Sequence, residues 1–264
     1  MFRQHFGLTH SPLSKQTQAL WDDGVLDHLA QRFQWLLESP GIGLLTGEPG
    51  VGKTAWLRHI TQPLNPHRYQ ILYLAETDFG RFDLYRQLAL DLGLEPTYRR
   101  AQLWREIKQH ITQWVEHKNI RPIWIIDESH QLPLAFFKDF PSFLNFAFDS
   151  KDLMTVWLVG LPQLAQILER APYAALASRI SVKETLPPIF EKERFTALIH
   201  HAFKDAGAHQ QLLSDSGIEL LRLASKGRPR TAALLIQTAL RLAMHRGINH
   251  LPDDIVSDAI EQLK

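Results

Sequence analysis

The eight residues Gly47-Glu48-Pro49-Gly50-Val51-Gly52-Lys53-Thr54 satisfy G-x-x-x-x-G-K-[ST] at every fixed position and leave few folds open to the chain. Each fixed residue answers a physical demand. Glycines let the backbone turn so that several N–H groups face one anion, the lysine reaches the outer phosphates, and the Thr54 hydroxyl is offered to Mg²⁺. The flanks agree: residues 42–46 read as a buried strand entering the loop, and residues 55–60 as a helix whose N-terminus points at the phosphates. The stretch predicts a nucleotide-phosphate site made by Gly47, Glu48, Pro49, Gly50, Val51, Gly52, Lys53, Thr54 and Ala55.

With 264 residues the chain has material for about two compact units at the usual ~100–200 residues each. Its 45% apolar and 22% charged content is that of an ordinary globular protein. No apolar run approaches the ~18 residues that suggest a membrane span, and residues 1–9 lack a sustained hydrophobic region, so no membrane partner is expected and the cytoplasm is the expected location. There is no cysteine, which excludes disulfides, thiolate metal sites and cysteine nucleophiles together. The thirteen histidines are scattered, and His200-His201 reads as a partly solvated helix face. A net charge of +1 leaves a nucleic-acid partner neither required nor excluded, because acidic faces can hide a basic stripe.

Along the chain, residues 1–14 read as an extended arm packing on the core, and residues 22–38 as a helix through Leu26, Leu29, Phe33, Leu36 and Leu37. Residues 70–75 form a second buried strand. Helical patterns follow at about 82–92 and 101–117, where Trp104 and Trp114 read as core. Residues 122–128 form an apolar run ending in Asp127-Glu128; 154–159 is another strand, and 180–186 alternates as an edge strand. Short apolar strands separated by helices predict an α/β fold, a five-stranded and mostly parallel sheet covered on both faces. Pro187-Pro188 marks a boundary beyond which four helical stripes make a small all-helical lid, giving domains at residues 1–187 and 188–264.

The carboxylates supply the second part of the chemistry. Asp127, at the end of a buried strand beside the phosphate loop, suits Mg²⁺, directly or through water. Glu128 is placed to orient and polarise a water for attack on the γ-phosphorus. Arg179 precedes the last strand, and Arg230 lies in Gly227-Arg228-Pro229-Arg230 at the start of a lid helix; a guanidinium suits the charge on transferring phosphate oxygens.

The phosphate loop, Asp127-Glu128, Ser178-Arg179 and Gly227-Arg228-Pro229-Arg230, in this order and with a helical C-terminal part, resemble an AAA+ ATPase. The opening His5-Phe6-Gly7-Leu8-Thr9-His10-Ser11-Pro12 resembles the amino-terminal signature of the ExeA-like and transposition ATPases, a group that includes the TnsC, TniB and MuB-like regulators. Residues 126–132 and 158–164 agree with that group. The resemblance implies ATP and Mg²⁺ as ligands, Asp127 and Glu128 as the Walker B pair, Lys53 as a catalytic phosphate contact, Arg179 as an arginine finger serving a neighbouring subunit, and Arg230 as the sensor-2 arginine. It also implies a homo-oligomer, ring or helical filament, on duplex DNA, with a transposase and a target-selection protein as partners. Thr77, Arg81, Arg99 and Arg100 are the residues picked for DNA contact. The alternative is a secretion-related ATPase of the ExeA type, in which the ATPase is typically joined to a membrane segment and a wall-binding region; neither is seen here, which favours transposition. A slow nucleotide switch is the third reading. Many AAA+ proteins carry a polar sensor-1 residue at the end of the fourth strand, whereas this one runs into Gly160-Leu161-Pro162, with Gln163 the nearest polar candidate.

Overall fold

The computed structural model describes residues 2–17, 19–77 and 80–263, with the side chain of Arg81 outside that description. In chain order the elements are α1 (Phe2–His5), α2 (Val25–Glu38), β1 (Ile42–Thr46), α3 (Lys53–Thr61), β2 (Tyr69–Leu74), α4 (Arg81–Asp91), α5 (Arg100–His117), β3 (Arg121–Ile126), α6 (Leu134–Leu144), β4 (Thr155–Gly160), α7 (Gln163–Leu168), α8 (Ala174–Ala177), β5 (Ile180–Thr185), α9 (Lys192–Asp205), α10 (Asp215–Ser225), α11 (Pro229–His245) and α12 (Asp253–Gln262). They form two compact units. One comprises Leu26–Gly47 and Leu57–Thr185; the other comprises the residues up to Val25, Glu48–Trp56, and those from Leu186 onward.

The first unit is built on a five-stranded sheet in the order β2-β3-β4-β1-β5, every described pairing parallel. Parallel strands all end at one edge, so β1, β3 and β4 share an edge at their carboxyl ends. On one face, alternate residues Ile42, Leu44, Leu72, Leu74, Trp124, Ile126, Val156 and Leu158 pack with Leu84, Tyr85 and Leu88 of α4, Leu103, Ile107 and Ile111 of α5, and the phenylalanines of α6. The opposite face carries Trp157, which stacks on Phe33 of α2 with ring centroids 5.5 Å apart. Trp157 lies in register with Gly43, and a Cβ at Gly43 would stand 2.6 Å from the indole. The glycine inside β1 is therefore a packing requirement rather than a turn.

Helix α6 has no counterpart in the sequence reading, because Pro141 interrupts it. Proline in a helix interior removes a backbone donor and costs about 3 kcal/mol. Here Phe136, Phe137, Phe140 and Phe143 are all fully buried, and the rings of Phe136 and Phe140 stack at 4.6 Å, so apolar burial offsets that cost.

In the second unit, α9 to α12 enclose a core that includes Phe195, Ile199, Leu221, Leu235, Ile236, Leu240 and Ile255. Ser214 caps α10 by accepting from the Gly217 N–H at 2.9 Å. The expected extended arm within residues 1–187 is corrected here. Residues 2–5 form a short helix, and the arm belongs with the helical unit. Phe6 and Leu8 are buried in its core, the Thr9 N–H donates to Ala206 O at 2.9 Å, and His10 Nε2 pairs with Asp205 Oδ2 at 3.0 Å. Two buried apolar side chains outweigh proximity in sequence. No helix among the described residues is long and apolar enough to cross a membrane.

Because overpacking costs about 1–3 kcal/mol, Gly43→Ala should lower stability by that amount. Urea unfolding followed by tryptophan fluorescence reads the shift, and an unchanged midpoint would show that the indole moves freely.

Candidate functional site

The first unit sets the carboxylates at the sheet edge. β3 ends at Ile126, and the Asp127 N–H continues the ladder by donating to Leu74 O at 2.8 Å. Asp127 is 3% exposed. Its Oδ1 accepts from the Glu128 N–H at 2.9 Å, and its Oδ2 accepts from the Tyr73 hydroxyl at 3.0 Å. Burial, the Asp127 charge and that hydrogen bond push the Tyr73 pKa well above its ordinary value, so the phenol keeps its proton and remains a donor. One carboxylate is thus held rigidly at the strand end.

Glu128 is treated differently. Its backbone is left-handed (φ 52°, ψ 29°), a conformation that costs a non-glycine residue about 1–3 kcal/mol. The surroundings hold it there: Glu128 O accepts from the Gln131 N–H at 2.9 Å and from Thr77 Oγ1 at 3.4 Å. The turn aims the carboxylate away from the ladder, where it is 47% exposed with His130 Nδ1 at 3.6 Å from Oε2. The two adjacent acids thus differ in freedom, the first buried and fixed and the second half-solvated. On β4, the Gly160 O accepts from the Gly47 N–H at 3.2 Å, so the first glycine of the phosphate loop is pinned to the end of the neighbouring strand.

In the second unit the loop residues 48–56 show the backbone their glycines permit. Gly50 has φ +83° and Gly52 φ +106°, and the space beside Gly52 is open, whereas a Cβ on Gly50 would meet Cβ of Arg230 at 2.9 Å. The Arg230 N–H donates to Gly50 O at 3.1 Å, with Pro229 supplying the first residue of α11. Lys53 is 7% exposed, and its ammonium donates to Glu48 O at 3.1 Å, spanning its own loop. Thr54 is half-buried in the first turn of α3, where backbone N–H groups have no intrahelical acceptor. A curled loop, an open glycine position, a buried ammonium and a helix N-terminus fit a triphosphate, and the Thr54 hydroxyl is a hard oxygen donor of the kind Mg²⁺ prefers.

The remaining expected residues are scattered. Arg179 is gripped at both ends by Asp149, with Nη1 to Oδ1 at 2.9 Å and Nη2 to Oδ2 at 2.8 Å. The hydrogen bonds hold the Asp149 carboxyl below the usual carboxylate range and raise Arg179 further, so the pair stays ionised. Asp149 belongs to a turn of three successive left-handed residues, Ala147, Phe148 and Asp149. Arg99 is exposed at the start of α5 beside Tyr98, itself 91% exposed. Arg100 is engaged already, 2.9 Å from Asp139 and with its guanidinium over the Trp104 ring. Arg81 opens α4, with its side chain outside the described structure. Thr77 is corrected as a DNA contact: it is 3% exposed, and its hydroxyl is spent on Glu128 O rather than facing solvent. Gln163 is exposed in the first turn of α7, so it does not fill the polar position sought at the end of β4.

Two site residues escaped the sequence reading. Tyr73 sits in an apolar strand, where its ring passes for core, and His130 was one of thirteen scattered histidines. His130 was marked only as part of residues 126–132, whose resemblance to the ExeA-like and transposition group gave it no role of its own.

The model of the AAA domain family matches residues 36–168, half of the chain. General secretion pathway protein A of Aeromonas hydrophila is 27% identical over 252 residues, 94% of this chain but 46% of that protein, so the chain spans less than half of its relative's length. Among solved structures, Cdc6p from Pyrobaculum aerophilum superposes with a TM-score of 0.72 at 15% identity, covering 97% of this chain and 70% of that one. The ORC1 protein of Aeropyrum pernix, solved in complex with DNA, gives 0.72 at 16% identity, covering 95% and 68%. At these identities the likeness is one of fold, and it is the P-loop AAA+ fold. A phosphate loop, a strand-end carboxylate pair and a family match that spans both from residue 36 to 168 meet in one chain, which belongs to the AAA domain family.

Proposed function

We propose that this protein is an ATP-hydrolysing switch that assembles with itself on duplex DNA when ATP is bound, recruits or activates a transposase there, and comes apart on hydrolysis. The observation that carries the hydrolytic part is the contrast at the end of β3, a buried Asp127 tied by two hydrogen bonds and a half-exposed Glu128 on a left-handed turn. In this reading residues 47–55 hold the triphosphate, with Lys53 on its outer oxygens. Thr54 and Asp127 hold Mg²⁺, which when bound neutralises phosphate charge. Glu128 orients a water and takes its proton as the bond to the leaving diphosphate breaks. Arg230 reports occupancy to the helical unit, because its N–H bonds Gly50 O and its side chain lies against Gly50.

Arg179 then acts from one copy on the nucleotide of the next. Within a single chain its guanidinium is occupied by Asp149, so assembly has to exchange that partner for phosphate oxygens. The DNA part is supported by the resemblance to transposition ATPases and by a related fold that was solved with DNA. Arg81, Arg99 and Arg100 remain the proposed contacts, with Arg99 foremost because it is exposed; such contacts to phosphates give sequence-independent, salt-sensitive affinity. The 27% relative favours a second reading, a secretion-related ATPase whose assembly needs nucleotide but not DNA.

Sedimentation with a non-hydrolysable ATP analogue, with and without duplex DNA, separates the two. Assembly that needs both nucleotide and DNA, and that retains an integrase-type transposase, supports the first; assembly indifferent to DNA supports the second. Lys53→Ala should abolish assembly, whereas Glu128→Gln should lower turnover by about 10²-fold or more and trap the ATP-bound oligomer. Wild-type phosphate release from the Glu128→Gln variant would remove Glu128 from its role. Arg179→Ala should cut turnover by about 10³-fold while leaving nucleotide binding to the isolated subunit intact. For DNA, Arg99→Glu should weaken assembly on duplex and flatten its salt dependence without changing nucleotide affinity, and an unchanged salt slope would clear Arg99 of phosphate contact.

A further inference from the structure

The end of β4 carries no side chain, and the space that one would need is taken. A Cβ built on Gly160 would lie 3.2 Å from both the backbone N and Nδ1 of His130, and 3.1 Å from Leu164 Cδ2. The imidazole comes from the short turn after β3 (Ser129–Gln131), which lies against the end of β4 because the two strands are neighbours in the sheet. It is mostly buried. Its Nδ1 has two possible partners: the Leu161 N–H at 3.4 Å and Glu128 Oε2 at 3.6 Å.

We propose that His130 is a positioning residue for hydrolysis, linking the Glu128 carboxylate through Nδ1 to the backbone at the end of β4, where it occupies the place of the missing polar side chain. The proposal rests on the reading of Glu128 as the group that works on water. One ring nitrogen cannot serve both partners at once. When Nδ1 accepts from the Leu161 N–H, the neutral ring carries its proton on Nε2, and Nδ1 has no hydrogen to offer Glu128, whose carboxylate is then not held by the ring and is free to turn. When the Leu161 N–H withdraws, the ring proton moves to Nδ1 by way of solvent, and Nδ1 donates to Oε2. No proton is gained or lost overall. The position of the β4 end therefore selects whether Glu128 is loose or held. That end is bonded to the first glycine of the phosphate loop, Gly47 N–H to Gly160 O at 3.2 Å, so a shift of the loop on filling is passed to Glu128 through two backbone contacts and one ring.

The test uses the full chain. His130→Ala should lower turnover at saturating ATP by about 10–100-fold, the scale expected from misplacing a reacting group, with KM and the affinity for a fluorescent ATP analogue held within about twofold. His130→Asn, whose amide offers a donor and an acceptor near the position of Nδ1, should recover most of the loss. In a Glu128→Gln background, His130→Ala should add nothing, because the histidine acts only through that carboxylate. Full turnover in His130→Ala, an undiminished loss in the Glu128→Gln background, or nucleotide affinity and melting temperature falling together would each overturn the proposal. A second measurement is independent of hydrolysis. In ¹⁵N-histidine spectra of the nucleotide-free protein, Glu128→Gln should move the ring resonances of His130, identified by their loss in His130→Asn; unmoved resonances overturn the link. A wild type that releases no more phosphate than Lys53→Ala defeats the ATPase reading instead, and the spectra still decide this one.

Discussion

The hydrogen bond from the Gly47 N–H to the Gly160 carbonyl is the constraint on which the site depends. It is the last rung of the β1–β4 pairing, whose register runs from Ile42 opposite Val156 to Thr46 opposite Gly160. Past this rung β1 is released into the phosphate loop. On the other side of β4, β3 ends at Ile126 and releases Asp127 and Glu128. Parallel pairing brings both releases to one edge, which is why an open α/β sheet places its chemistry beyond the carboxyl ends of its strands. Trp157 holds the register from beneath, since its indole fits only against a residue without a side chain at position 43.

Backbone strain and side-chain satisfaction are distributed unevenly around this edge. Asp127 is engaged by its own neighbour's N–H and by a phenol that burial, together with the carboxylate it bonds, keeps protonated. Glu128 is strained in backbone and nearly unrestrained in side chain. For the base proposed above, which would turn toward a water and away again, a rigid main chain and a loose carboxylate serve better than the reverse. The glycines of the loop divide the same way: the space beside Gly52 is open, while that beside Gly50 is closed by the side chain of Arg230.

Legibility in the sequence followed the range over which each feature is determined. The strands were readable because a strand buried on both faces is a short apolar run. Helix α6 was not, because Pro141 breaks the local signal and only the packed rings of Phe136, Phe140 and Phe143 restore the helix. The first residues read as an arm on the α/β core. Phe6 and Leu8 instead joined the C-terminal helices, a choice made by complementary surfaces some 190 residues away in sequence, as the pairing of Thr9 with Ala206 shows. Thr77 looked like a surface hydroxyl and turned out to be a strut beneath Glu128.

By itself the sequence determined the phosphate loop, the carboxylate pair and the parallel α/β class, because each needs only a local backbone geometry that a few adjacent residues impose. The tertiary structure alone decided three further things: that Tyr73 bonds Asp127, that Asp149 holds Arg179, and that His130 fills the space beside Gly160. The reason is the strand order β2-β3-β4-β1-β5. Residues 73 and 127, or 130 and 160, are far apart along the chain and become neighbours only when β3 is laid between β2 and β4.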